Sequence, residues 1–167
     1  MLKRLYDKCV DLAGHRYSKP LLGFFSFIES SFFPIPPDIL MIPMIIAKRT
    51  KALVYASICT FSSVLGGITG YVIGYFFFNS IGILIINAYG LTNSFNAFEN
   101  YYNEYGILIV LGGGLTPFPF KFITIASGVF NLNIFLFILT AIIARGIRFY
   151  SLAILLFIFG EKIKKLI

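Results

Sequence analysis

The fold is decided at residues 34–38, which read Pro-Ile-Pro-Pro-Asp. Proline has no backbone N–H, so a continuous α-helix cannot pass through this stretch. The apolar runs on either side, residues 20–33 and 39–47, are each shorter than the roughly 20 helical residues that a hydrocarbon core requires. The simplest arrangement is a re-entrant hairpin over residues 20–47, which enters the membrane and returns to the same side.

A second proline-broken segment, Pro-Phe-Pro-Phe-Lys at residues 117–121, repeats this pattern with the opposite charge. Short apolar runs flank it and predict a second re-entrant hairpin over residues 105–130. Each segment places an ionisable residue four positions after its first proline, Asp38 in one and Lys121 in the other. Because such groups are costly inside a bilayer, they predict a site that handles a charged solute.

The composition is that of an integral membrane protein. The chain has 167 residues, of which 58% are hydrophobic and 13% charged, and its mean hydropathy is +0.87. Residues 52–78 and 134–160, 27 residues each, predict two transmembrane helices. The net charge of +7 comes from clusters beside apolar segments. Lipid headgroups and topology explain these clusters better than nucleic acid does.

The distribution of charge predicts the topology. The segment 1–19, which should form an amphipathic interfacial helix, the cluster 48–51 and the tail 161–167 are basic, whereas residues 79–104 contain no Lys or Arg. The positive-inside rule therefore places both termini in the cytoplasm and residues 79–104 outside. The expected fold over residues 20–160 is all-α, an inverted repeat of two re-entrant hairpins and two transmembrane helices. Two short complete spans in place of each hairpin remain the alternative.

Three further ionisable positions, Glu29, Arg145 and Arg148, are candidates for the site beside Asp38 and Lys121. Arg145 and Arg148 lie on one face near the middle of the second long helix, where a guanidinium can bind phosphate or neutralise an acidic side chain. Glu29 and Asp38 flank the first proline loop and are candidates for proton coupling. The alternative is that these carboxylates form permanent salt bridges to Lys121 or to an arginine.

A row of glycines, Gly66, Gly70 and Gly74, lies on the first long helix. Small residues at this spacing allow another backbone to approach closely, either a re-entrant hairpin or a second subunit of a homodimer. The loop and helix-packing residues predicted in this way are Pro34, Pro36, Pro37, Pro117, Pro119, Gly66, Gly70 and Gly74.

The sequence gives no indication of an enzyme. His15 stands alone, and the two cysteines, Cys9 and Cys59, lack the spacing of metal ligands or of a redox pair. The serines near the first loop have no histidine that could act as a base. We therefore expect neither a catalytic residue, nor a metal, nor a cofactor.

Three motifs together resemble the DedA family of membrane proteins, whose domain is also called the VTT domain. They are Glu-Ser-Ser-Phe-Phe-Pro-Ile-Pro-Pro-Asp at 29–38, Gly-Tyr-Val-Ile-Gly-Tyr at 70–75, and Leu-Thr-Pro-Phe-Pro-Phe-Lys at 115–121, the last followed by Ala-Ser-Gly at 126–128. The resemblance covers roughly residues 20–160 and is closest to the YqaA-like branch.

The resemblance implies a lipid transporter or flippase of the bacterial inner membrane. Its substrate would be an anionic lipid, either undecaprenyl phosphate or a phospholipid, with Glu29 and Asp38 at the family's essential acidic positions. Lys121 lies about one residue from the family's usual loop arginine. The family's other arginine falls near Gly114 and is missing here, so we expect Arg145 and Arg148 to supply positive charge for headgroup binding.

Two other functions fit the same residues. A small proton-coupled ion or solute transporter that supports envelope and proton-motive-force homeostasis would need the same acids without a lipid site. A scaffold that stabilises other envelope proteins would need no transport at all.

Overall fold

The structure, a computed structural model, describes residues 17–31, 36–90, 92–116 and 118–166. Most of these residues lie in seven α-helices. A 3₁₀ turn, Arg49–Lys51, leads into the third helix, and a π-helical turn, Phe78–Gly82, follows it. The helices are α1 Ser18–Ser31, α2 Asp38–Ala47, α3 Ala52–Phe77, α4 Ile83–Ala88, α5 Thr92–Leu115, α6 Phe120–Val129 and α7 Ile134–Leu166.

The described helices follow the same order twice. In each half, a first helix ends before a proline-containing break, a helix of ten residues follows, and a long apolar helix comes next. Pro37 is the N-cap of α2 and Pro119 is the N-cap of α6. Proline is tolerated there because the first turn of a helix has no intrahelical partner for its N–H groups. The predicted loop residues Pro34 and Pro117 lie outside the described residues.

Two of the helices are long and apolar enough to cross a membrane. One is the run from Arg49 to Gly82 around α3, and the other covers residues 134–160 of α7. The prediction of two long apolar helices at 52–78 and 134–160 is therefore confirmed. Helix α7 continues to Leu166, so the basic residues at 162–165 extend this helix. The predicted interfacial helix at 1–19 lies almost entirely outside the described residues, and α1 begins at Ser18.

The region between the long helices differs from the prediction. The sequence indicated an outside segment over 79–104 and a short arm starting at residue 105, but α5 runs without a break from Thr92 to Leu115. The reason is a stripe of buried residues at a spacing of four that crosses the predicted boundary: Tyr102, Gly106, Val110 and Gly114. The first helix of the second pair thus has 24 residues, whereas α1 has 14.

Helix α3 packs against α1, α6 and α7, and the glycine row makes this possible. A Cβ at Gly66 would collide with the carbonyl oxygen of Phe27 in α1, and one at Gly74 would collide with that of Ile125 in α6. At Gly70 the obstacle is the hydroxyl of Thr124. The row is thus covered from within the chain by both proline-broken helix pairs, and not by a second subunit.

Two apolar clusters fill opposite ends of the bundle, and polar residues separate them. On α3 one cluster ends at Cys59 and the other begins at Val64; on α7 the gap lies between Ala141 and Phe149. Ser63 and Arg145 occupy these gaps and are both buried. A polar layer therefore crosses the bundle near the middle of its two long helices.

Candidate functional site

Arg145 is the centre of the polar layer, and its side chain is completely buried. Its Nη2 donates a hydrogen bond to Glu29 Oε2 at 2.5 Å, and its Nε donates to Ser63 Oγ at 2.5 Å. The guanidinium also lies between the rings of Phe120 and Phe149, with centroids 4.9 Å and 4.8 Å away. A buried charge of this kind is stable only when it is paired and hydrogen-bonded, as it is here.

Glu29 is held by neighbours as well as by the arginine. Its carboxylate accepts a hydrogen bond from Ser30 Oγ at 3.1 Å, and Ser30 Oγ lies 2.6 Å from Ser63 Oγ. The side chain of Glu29 is 8% exposed. This ion pair is therefore closed on all sides, and it connects α1 to both long helices.

Arg148 forms a second ion pair at the edge of the layer. Its Nη2 donates to Asp38 Oδ2 at 2.8 Å, and its Nη1 donates to the carbonyl of Thr116 at 3.3 Å. Its guanidinium lies 5.7 Å from the centroid of the Phe149 ring. The side chains of Arg148 and Asp38 are 15% and 24% exposed, so the protein does not cover this pair completely.

Each arginine connects both proline-broken pairs to α7. Arg145 contacts Glu29 of α1 and Phe120 of α6, while Arg148 contacts Asp38 at the start of α2 and Thr116 just after α5. The two guanidinium groups share the ring of Phe149. The sequence spacing predicted that both arginines lie on one face, and the structure places them together with both acidic residues.

Among the residues that the structure describes, three buried polar atoms have no hydrogen-bond partner: Asp38 Oδ1, Arg145 Nη1 and Thr60 Oγ1. The first is an acceptor, the second a charged donor, and a hydroxyl can act as either. Buried polar atoms are normally paired, by protein groups or by ordered water. The layer thus keeps capacity to bind water, a proton or a polar group.

Lys121 is the second residue of α6, and its Nζ lies 5.2 Å from the centroid of the Phe122 ring. Of the two partners expected for the carboxylates, Lys121 or an arginine, Asp38 pairs with an arginine, Arg148. Lys121 adjoins the site through its neighbour Phe120, whose ring covers Arg145.

Sequence reasoning missed the residues that hold the arginines in place. These residues are Ser30 and Ser63, together with the aromatic rings of Phe120 and Phe149. Serines in the middle of apolar helices could have indicated polar contacts between those helices. Among the described residues, no group of three or more His, Cys, Asp or Glu is placed to hold a metal ion.

Two curated proteins are similar to this chain over most of its length. A Haemophilus influenzae protein described as uncharacterized is 36% identical over 158 residues, which cover 95% of this chain and 82% of that protein. A Histophilus somni protein described as an uncharacterized HI0703 homolog is 39% identical over 148 residues, 87% of this chain and 75% of that protein. No protein-family model and no solved structure matches the chain. At this identity and coverage, the chain belongs to the same family as these two bacterial proteins.

Proposed function

We propose that this protein is a bacterial inner-membrane transporter that moves an anionic lipid between leaflets. The observation that carries the proposal is the ion pair between Arg148 and Asp38, which is partly exposed. Arg148 also contacts Thr116, so it binds to both proline-containing breaks. A guanidinium near the middle of an apolar helix is costly, and such groups usually line a substrate or ion pathway. Arginine is also the side chain best suited to bind phosphate.

The proposed topology follows from the two long helices and from the charge distribution. Helices α3 and α7 cross the bilayer, and the pairs α1–α2 and α5–α6 are re-entrant hairpins that enter from opposite faces. Each ten-residue helix contacts the long helix of the other half, because α2 packs against α7 and α6 packs against α3. This contact of each short helix with the long helix of the other half supports an inverted repeat. The two proline-containing breaks then meet near the midplane of the bilayer.

The resemblance to the DedA family supports the same function, although one of the family's arginines is missing from this chain. The arginine that this family carries near residue 114 is replaced by Gly114. A Cβ at Gly114 would lie 2.6 Å from the Cβ of Ala144, so the backbone of α5 packs directly on α7 at this point. The positive charge is supplied instead from α7 by Arg145 and Arg148, with Lys121 contributing from the start of α6.

The two ion pairs have different roles in this mechanism. The buried pair of Arg145 and Glu29 keeps α1, α3 and α7 together and does not open. The exposed pair is exchangeable: an anionic headgroup binds Arg148 and displaces Asp38. The proton-coupling role that we propose for Asp38 is exercised when its carboxylate leaves Arg148. Proton uptake at Asp38 would then favour the phosphate-bound state and couple transport to a proton gradient.

The proposal is tested by a leaflet-translocation assay in proteoliposomes. Fluorescent phosphatidylglycerol, phosphatidylcholine and undecaprenyl phosphate are compared with and without a proton gradient. We expect faster movement of the anionic lipids and an effect of the gradient that disappears in Asp38→Asn. Equal rates for all lipids and for protein-free vesicles would contradict lipid transport, and an unchanged gradient effect in Asp38→Asn would contradict proton coupling.

A second candidate is a proton-coupled transporter of a small ion or solute. The observation that favours it is the set of three buried atoms that have no hydrogen-bond partner in the described part of the chain, which suits water or a small polar solute better than a headgroup. Native mass spectrometry of retained lipids separates the two, because only a lipid transporter should retain fewer anionic lipids per protein in Arg148→Gln than in the wild type. A scaffold role is favoured if full envelope function survives neutralisation of both ion pairs.

A further inference from the structure

A separate crevice opens between the beginning of α3 and the last turns of α7. It has a volume of about 410 Å³ and is lined by Thr50, Ala52, Leu53, Ile154 and Phe157. Ile154 lies six residues beyond Arg148, which corresponds to about 9 Å along the helix axis. We call it the α3–α7 crevice. It lies toward the basic end of both long helices and away from the polar layer.

The walls of the crevice are apolar and exposed. Leu53, Ile154 and Phe157 are 56%, 49% and 53% exposed. In a protein that spans a membrane, such side chains face acyl chains. A concave apolar surface between two helices, unlike a convex one, can hold a single chain in a defined place.

The mouth of the crevice is positively charged. Lys48 and Lys51 are exposed at the beginning of α3, on either side of Arg49 and Thr50. Arg49 crosses to α7, where its Nη1 donates to the carbonyl of Phe157 at 3.3 Å, and its Cδ would lie 3.2 Å from a Cβ at Gly160. The basic cluster is therefore held against both helices at the opening.

A polar contact lies further along the same two helices. Ser57 Oγ of α3 and the hydroxyl of Tyr150 in α7 lie 2.7 Å apart. The residues that line the crevice end at Leu53 on α3, before this contact. The crevice thus combines largely apolar walls with a cationic mouth.

We infer that the α3–α7 crevice binds an anionic phospholipid of the cytoplasmic leaflet as a fixed ligand. The phosphate lies at Lys48 and Lys51, and the first part of one acyl chain lies against Leu53, Ile154 and Phe157. Basic pockets between transmembrane helices on the cytoplasmic side are suited to anionic headgroups. The inference rests on the proposed membrane location, but it does not depend on lipid transport.

The test measures the lipid that the full chain retains in detergent, by native mass spectrometry with phosphatidylglycerol and phosphatidylcholine as probes. The wild-type protein should retain phosphatidylglycerol in preference. Lys48→Gln and Lys51→Gln should each weaken retention about fivefold, because each lysine near an anionic headgroup contributes that much. Ile154→Trp should fill the crevice and abolish the preference. Leu155→Trp is its matched control, since Leu155 is similarly exposed at 52% and does not line the crevice.

Several outcomes would overturn the inference. These are equal retention of the two lipids, unchanged retention in Ile154→Trp, or a dimer that covers the crevice without bound lipid. If Ile154→Trp does not fold, the double surface variant Lys48→Gln/Lys51→Gln tests the inference instead, and unchanged retention of phosphatidylglycerol in it would overturn the inference. Arg148→Gln separates this site from the transport site: it should lose translocation and keep phosphatidylglycerol at the crevice. The lipid bound at Arg148 should be lost in this variant, but loss of all bound lipid would assign the retained lipid to the transport site alone and overturn the inference.

Discussion

The two ion pairs of the polar layer use the same chemistry in different surroundings. Arg145 and Glu29 are sealed between two aromatic rings and two serines, whereas Arg148 and Asp38 are partly open to solvent. Separating a sealed pair leaves a charge with no replacement partner, but water or a ligand can replace a partner of an open pair. The difference teaches that two arginines only three residues apart can differ in burial, and the proposed division into a structural Arg145 and a binding Arg148 rests on this difference.

The largest expected effect follows removal of the buried arginine. Arg145→Ala should lower the free energy of unfolding by about 3–5 kcal/mol, because it leaves Glu29 buried without a partner. Thermal unfolding in detergent measures this. The double variant Glu29→Met/Arg145→Met should unfold at a higher temperature than Arg145→Ala, since it removes both charges and keeps the volume. If Arg148→Ala were the more destabilising arginine variant, the assignment of roles would be reversed.

A smaller loss of stability is expected when the serine that hydrogen-bonds to Arg145 is replaced. Ser63→Ala removes the acceptor of the Arg145 Nε–H and should cost about 1.5–3 kcal/mol, the usual range for a hydrogen bond to a charged group. Ser62→Ala is a neighbouring control, because Ser62 lines an open groove with α1 on the outside of the bundle. Equal unfolding temperatures for the two variants would show that Ser63 does not support the buried pair.

The smallest effect on stability is expected at the open pair. Asp38→Asn should change the free energy of unfolding by no more than about 1 kcal/mol, because partly exposed ion pairs contribute little. The same variant should lose the gradient dependence of transport. A large loss of stability in Asp38→Asn, comparable to that of Arg145→Ala, would mean that both pairs are structural.

The sequence predicted the parts of the fold that depend on the length of the apolar runs and on the positions of the prolines. The long helices at 52–78 and 134–160 follow from uninterrupted apolar runs, and the breaks before α2 and α6 follow from prolines that cannot continue a helix. The start of α5 was missed because its first turns are polar, and hydropathy alone does not distinguish a polar helix from a loop. The part of α5 before residue 105 that packs against the protein, at Tyr102, is recognised only from its burial in the structure.

The sequence predicted which charged residues form the site, but not which acid pairs with which arginine. Two acids and two arginines were recognisable because such residues are rare within apolar segments. Which acid meets which arginine depends on how α1, α2 and α7 cross, and this is set by glycine contacts on α3 and by the aromatic rings around Arg145. These are long-range contacts that residue spacing within one helix does not contain.

The most direct test of the account compares transport with stability in Arg148→Gln. In proteoliposomes, this variant should translocate fluorescent phosphatidylglycerol at least about tenfold more slowly than the wild type, since it loses a charged hydrogen bond to the headgroup. Its unfolding temperature in detergent should stay close to that of Lys19→Gln, a control at an exposed lysine. Arg148→Lys should recover part of the rate. Wild-type translocation in Arg148→Gln would contradict the claim that the open ion pair is where the anionic headgroup binds.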